Sequence, residues 1–184
     1  VELKVEPFTP EVGDLPVHFE DHADGELQEI YRRAIEEGVR DASTSGSLAG
    51  YPISNLRVTL LKGQEHPDHS SELAFAQAAR IAFDEAVTNA SPILLEPVMN
   101  VRVTTPEEFF GTVSNDLTKR RGLIHETQMR GINRVLTAHV PLSEMFGYAT
   151  ELRSLTQGRA SSTMEPHSYT AVPNDVAKGI LSYY

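Results

Sequence analysis

Four residues of one segment return, in order and at fixed spacing, in the next. Glu108, Phe110, Gly111 and Gly122 recur 36 positions later as Glu144, Phe146, Gly147 and Gly158. A repeat of this period means one supersecondary unit used twice. Around each set the pattern runs strand, helix, strand. The first half reads "PVMNVRVTT", "PEEFFGTVSNDLTKRRG", "LIHETQMRG", and the second "INRVLTAHV", "PLSEMFGYATELRSLTQG", "RASSTMEPHSY". Two such units in series predict a four-stranded antiparallel sheet with both helices on one face.

That arrangement is the ferredoxin-like βαββαβ fold. Thr105 and Glu108 are spaced as a capping box, with Pro106 at the first helical position. Gly122 and Gly158 are placed as left-handed helix ends. Gly111 and Gly147 each cost about 1 kcal/mol against alanine inside a helix. Two such costs at equivalent places imply either tight packing of helix on sheet or close approach of a partner. "PNDVAKGILSYY" predicts a terminal helix starting at Pro173.

The segment before the repeat reads differently. "VELKVEPF" alternates as a strand and opens the chain without a lead-in, as a piece of something larger would. "TPEVGDLP" is a turn-rich loop and "VHFEDHADG" a short strand with its exit. Leu27, Ile30, Tyr31, Ala34, Ile35 and Val39 fall at helical spacing and predict a helix over 26–42. "STSGSLAGYP" ends it and "ISNLRVTLLKG" is a strand. Ser70 is placed to cap a second helix over about 71–89, whose inner face is Phe75, Ala76, Ala79, Ala82, Phe83 and Ala86. "NASP" then breaks the chain. The whole reads as α+β, with an α/β domain over 1–95 and a ferredoxin-like domain over 96–184.

Charge follows the same division. Residues 1–97 hold 18 acids and 7 bases, whereas residues 98–184 hold 8 acids and 9 bases, out of a net −10. The acidic part repels a phosphate backbone; the second part could meet one locally. No cysteine is present, which rules out disulfides, thiolate metal sites and a cysteine nucleophile. No apolar run approaches the roughly 20 residues of a membrane-spanning helix, so no membrane partner is expected.

The sequence has no GxxxxGK[ST] phosphate loop, no GxSxG elbow and no HExxH pair. No catalytic residue is assigned. His66 and His69 flank Pro67 and Asp68, and His18 and His22 lie around Glu20 and Asp21. Imidazole and carboxylate suit zinc, but nothing in the pattern makes these side chains converge, and no metal site is assigned. The basic residues form a clearer set. Lys119, Arg120 and Arg121 close the first repeat helix, and Arg153 and Arg159 lie near the end of the second. Cations at helix C-termini offset the helix dipole. Five at the same ends of two adjacent helices would also make a patch for phosphate. Both readings stand on the residues alone. Two other function classes stand beside them: a ferredoxin-like regulatory module that binds a small molecule, and a metal-dependent hydrolase built on the histidine pairs.

"LLEPVMNVRVTTPEEFFG", "DLTKRRG", "VPLSEMFGYATELRSLTQGRAS" and "VPNDVA" resemble the fifth domain of elongation factor G, a translational GTPase. "SGSLAGYPISNLRVTLLKG" and "SSELAFAQAARIAFDEA" resemble the end of that family's fourth domain. The likeness covers essentially the whole chain. It implies a ribosomal-protein-like α/β fourth domain, incomplete at its start, followed by the ferredoxin-like fifth. It implies a cytoplasmic, monomeric parent that binds GTP and magnesium on domains not in this sequence and promotes tRNA–mRNA translocation. The fragment itself is then no enzyme and carries no cofactor. The loop "GQEHPDHSSE", with His66, Pro67, Asp68 and His69, corresponds to a tip that enters the decoding region. The fifth domain docks near the stalk base and the sarcin-ricin region, which makes Lys119, Arg120, Arg121, Arg153 and Arg159 candidates for ribosomal RNA contact. Pro67, His69 and Asn115 depart from the family pattern. These departures fit a divergent second elongation factor G; a recycling paralogue and a ribosome-protection factor are the alternatives.

Overall fold

A computed structural model describes residues 1–9, 15–25 and 27–182. The chain divides into two compact units, residues 1–93 with the chain from 178 onward, and residues 94–177. The loop expected over 9–16 lies largely outside the described residues.

The first unit holds β1 (Glu2–Pro7), β2 (Val17–Asp21), α1 (Glu29–Ser43), β3 (Leu56–Lys62) and α2 (Glu72–Asn89). Its sheet has the order β1-β3-β2. β1 runs antiparallel to β3 and β2 parallel to it. The parallel pair requires a crossover, and α1 supplies it. Ile35, Val39, Val58, Leu60, Ala79 and Phe83 form its core. Tyr31 stacks on Phe75 across the two helices, ring centroids 4.6 Å apart. Ile30, expected on the inner face of α1, is 46% exposed.

The second unit holds β4 (Leu95–Pro106), α3 (Phe110–Lys119), β5 (Leu123–Arg130), β6 (Asn133–Pro141), α4 (Tyr148–Leu155) and β7 (Ser161–Ala171). The sheet order is β5-β6-β4-β7, with every pair antiparallel. This is the ferredoxin-like order expected from the repeat. Val113, Leu117, Tyr148 and Leu152 of the helices pack on Val101, Val103, Leu136, Ala138 and Val140 of the sheet. A last helix, α5, spans Asn174–Leu181.

Three local expectations are corrected. Thr105 and Glu108 form no capping box. β4 stays paired through Thr105↔Arg134 and Pro106↔Asn133, so the hydroxyl belongs to a strand. A 3-10 turn over Glu107–Phe109 follows, and α3 begins without a side-chain cap. The left-handed conformation at the first helix end falls on Arg121 (φ 58°), not Gly122; at the second it falls on Gln157 (φ 54°) as well as Gly158 (φ 76°). Each end closes as a Schellman motif, with Gly122 N–H on the Leu117 carbonyl and Gly158 N–H on the Arg153 carbonyl, both at 2.8 Å. Gly122 is required for space, because a Cβ there would lie 2.5 Å from the Leu117 carbonyl oxygen. Finally, neither Gly111 nor Gly147 packs tightly, since a Cβ on either meets nothing within 4 Å. Gly147 is needed for its dihedral (φ 75°), which turns the chain into α4; Gly111 has no such role.

Candidate nucleic-acid interface

The five basic residues do not form one patch. In this topology the two helices run antiparallel, so the end of α3 meets the start of the second helical segment. Arg120 donates from Nη1 to the Glu144 carbonyl at 2.6 Å and from Nε to Asp116 at 2.9 Å, with its guanidinium over the Tyr148 ring. Arg121 grips Glu96 with two bonds of 2.8 and 2.9 Å and reaches Glu144 with Nε at 3.0 Å. At the other end of α3, Arg159 pairs with Glu108 and lies over the Phe109 ring, 4.7 Å from its centroid. Glu108 and Glu144 are the repeat-related glutamates. Each therefore receives an arginine from the end of the other half's helix. This exchange ties the halves together and gives the repeated glutamate a structural reason.

The electrostatics agree with that role. The bidentate bond to Glu96, then Glu144, holds the Arg121 guanidinium charged above the usual arginine range, against the opposing effect of burial. Burial pushes the Tyr148 phenol well up, and its buried oxygen has no hydrogen-bond partner among the described residues. Lys119 and Arg153 behave otherwise. Both are exposed, and neither has an ion-pair partner among the described residues. They sit in the last turns of α3 and α4. Phe146, 78% exposed beside Gly147, adds an uncovered ring at the start of α4.

In the first unit, the loop from Gly63 to Ser71 joins β3 to α2. Its base is braced. Glu65 accepts from the Gln28 backbone N–H at 2.6 Å and from Gln28 Nε2 at 2.9 Å. The Ser70 hydroxyl accepts from the His66 N–H at 2.7 Å, while Ser71, not Ser70, caps α2 by accepting from the Ala74 N–H at 3.2 Å. The braces leave His66, Pro67, Asp68 and His69 exposed at the tip. The two imidazoles stack with centroids 4.9 Å apart, which presents ring faces and not a chelating pair. Among the described residues no group of three His, Cys, Asp or Glu is arranged to hold a metal ion. No described helix is long and apolar enough to cross a membrane.

The sheet face opposite the helices is polar, and sequence reasoning missed what it holds. His125, His139 and His167 stack across it, with successive centroids 4.3 and 3.9 Å apart. The hollows on this face enclose about 100 and 150 Å3. Small-molecule pockets run to roughly 300–1,000 Å3.

Two family profiles match the chain in series. "Elongation factor G, domain IV" covers residues 1–91 and "Elongation factor G C-terminus" covers residues 93–180. The chain belongs to the elongation factor G family. It is 52% identical over 157 residues to elongation factor G of Fervidobacterium nodosum, covering 85% of this chain and 23% of that protein. Against elongation factor G of Thermotoga petrophila it is 44% identical over 179 residues, covering 97% of this chain and 26% of that protein. A crystal structure from Thermus thermophilus superposes with a TM-score of 0.88 at 36% identity, covering 98% of this chain and 27% of that one. The chain thus spans about a quarter of the length of these relatives. Within the family frame, residues 1–91 match its domain IV and residues 93–180 its C-terminal domain.

Proposed function

We propose that this chain is the ribosome-engaging part of a translational GTPase that moves tRNA and mRNA through the ribosome. The observation that carries the reading is the two family matches in series, 1–91 and 93–180. The parent would bind GTP and magnesium on other domains and work in the cytoplasm as a monomer. The braced loop with His66, Pro67, Asp68 and His69 would be the tip that meets the decoding region. Exposed imidazoles on a fixed base suit contact with ribose hydroxyls, phosphates and unstacked bases.

Of the five candidate cations in the C-terminal domain, Lys119 and Arg153 are the two without an ion pair among the described residues, and they would meet ribosomal RNA near the stalk base and the sarcin-ricin region. Arg159 could exchange its exposed Glu108 pair for a phosphate. Arg120 and Arg121 would act indirectly, by holding the helix start that the RNA meets.

The test is His66→Ala in the full-length parent. Translocation, followed with fluorescent mRNA, is expected to slow about tenfold, which needs only about 1.4 kcal/mol of lost transition-state contact. Ribosome-stimulated phosphate release should barely change. If both rates fell together, the loop would be acting on docking or activation. An unchanged translocation rate would contradict the assignment of this loop as the working tip.

A further inference from the structure

The three stacked histidines have no role in the function proposed above, and their placement is specific. His139 lies on β6, an inner strand, paired with Asn100 of β4. β5 and β7 are the two edges of the sheet. The ladder of β5 on β6 slips between Ile124 and Glu126, which leaves His125 as the extra residue of a bulge. The ladder of β7 on β4 slips between Ser168 and Pro166, which leaves His167 as the extra residue of a second bulge. A bulge re-aims a side chain and weakens pairing where it occurs. Here each bulge turns an imidazole of an edge strand toward His139. The His139–His167 stack reaches across β4, with rings 19° from parallel.

Neutral imidazoles stack well, whereas charged ones at this spacing repel. The charged groups lining the hollows on this face are Arg102 of β4, Glu126 and Arg130 of β5 and Glu165 of β7. Amide side chains hold both carboxylates. Asn100 Nδ2 donates to Glu165 at 2.9 Å and Gln128 donates to Glu126. The histidine–carboxylate pairs of the described residues are those of His18 and His22 with Glu20, in the other unit. Burial first, then His167 and His125, hold the His139 imidazole below the ordinary histidine range.

We propose that His125, His139 and His167 form a proton-released clip that fastens both edge strands to the centre of the C-terminal sheet. Above the ordinary histidine range, near pH 6.5, His139 is neutral and the clip is closed. As pH falls below that value the unfolded or opened chain takes up protons more readily than the closed stack. Stability from the clip is therefore lost on acidification and not on alkalinisation. Because His125 and His167 sit at bulges, both edges loosen together.

Hydrogen exchange on the 184-residue protein at pH 7.5 and 5.5, corrected for intrinsic rates, tests this. Amides around the two bulges should lose protection about tenfold between the two pH values, while the β4–β6 pair keeps its own. His139→Phe keeps a ring to stack on but removes the charge, and should make the same amides indifferent to pH. Carbon–proton NMR of the imidazoles gives a second readout. The His139 midpoint should lie below 6.5 and move upward in His125→Gln/His167→Gln. An equal loss of protection in His139→Phe, no loss in the native protein, or an ordinary His139 midpoint would each overturn the proposal.

Discussion

The two halves of the C-terminal repeat share four residues and put two of them, the phenylalanine and the first glycine, to different uses. In the second half Gly147 takes a left-handed conformation (φ 75°) that swings the chain from a 3-10 turn into α4. Its counterpart Gly111 lies inside the first turn of α3, in open space. Phe110 sits beneath the Arg134 guanidinium at 4.4 Å, whereas its counterpart Phe146 is 78% exposed. The glutamates remain alike, each taking an arginine from the opposite half. The comparison teaches that sequence identity within a repeat preserves what joins the halves. The remaining copies are free to serve a turn, a space or a surface.

The largest expected effect separates the two closing glycines. Gly122→Ala places a Cβ 2.5 Å from backbone oxygen, and should lower stability by about 2–3 kcal/mol as an overpacked, broken helix end. Gly158→Ala meets only the Arg153 side chain, at 3.9 Å, and should cost about 1–2 kcal/mol for its left-handed backbone. Urea denaturation of both variants reads the difference; equal losses would erase the distinction between the ends.

Next is the division among the cations. Arg121→Ala leaves Glu96 and Glu144 without their shared partner, and should cost about 2 kcal/mol. Arg153→Ala removes an exposed cation and should stay within about 0.5 kcal/mol. The same denaturation series sharpens the claim that the arginines at the end of α3 face inward. A small loss at Arg121 would return them to the solvent side.

The smallest effects have opposite signs at equivalent positions. Gly147→Ala should destabilise by about 1–2 kcal/mol, through its dihedral. Gly111→Ala should stabilise by roughly 0.5–1 kcal/mol, because a helix gains from alanine where space is open. Calorimetric melting points would show the two shifts in opposite directions.

These contrasts also separate what periodicity reveals from what packing decides. The repeat, the strand–helix–strand order and the buried faces follow from periodicity, and they determine the sheet order. The capping box failed because β4 keeps pairing two residues beyond where helix chemistry begins, and pairing is a tertiary fact. At the first helix end the left-handed dihedral moved by one residue, because the Schellman motif demands glycine for space at Gly122 but accepts strain at Arg121; at the second, Gly158 keeps it. The single basic patch failed because antiparallel helices send their ends apart, which composition does not reveal. Of the candidate cations, exposure and the lack of an ion pair among the described residues separate Lys119 and Arg153 from Arg120 and Arg121. The histidine stack was invisible for a different reason: two bulges each add one residue, and a period of two hides both.

The division of the helix ends into inward arginines and outward cations is tested most directly by the salt dependence of ribosome binding. Lys119→Glu/Arg153→Glu should be compared with the native parent across a potassium series. Each lost phosphate contact removes roughly one released counterion, about 0.7–0.9 in the slope of log affinity against log salt. The double variant should therefore bind more weakly at low salt, with a slope shallower by about 1.4–1.8 and an unchanged urea midpoint. A slope equal to the native one would contradict the account, and would leave Lys119 and Arg153 as cations that only offset their helix dipoles.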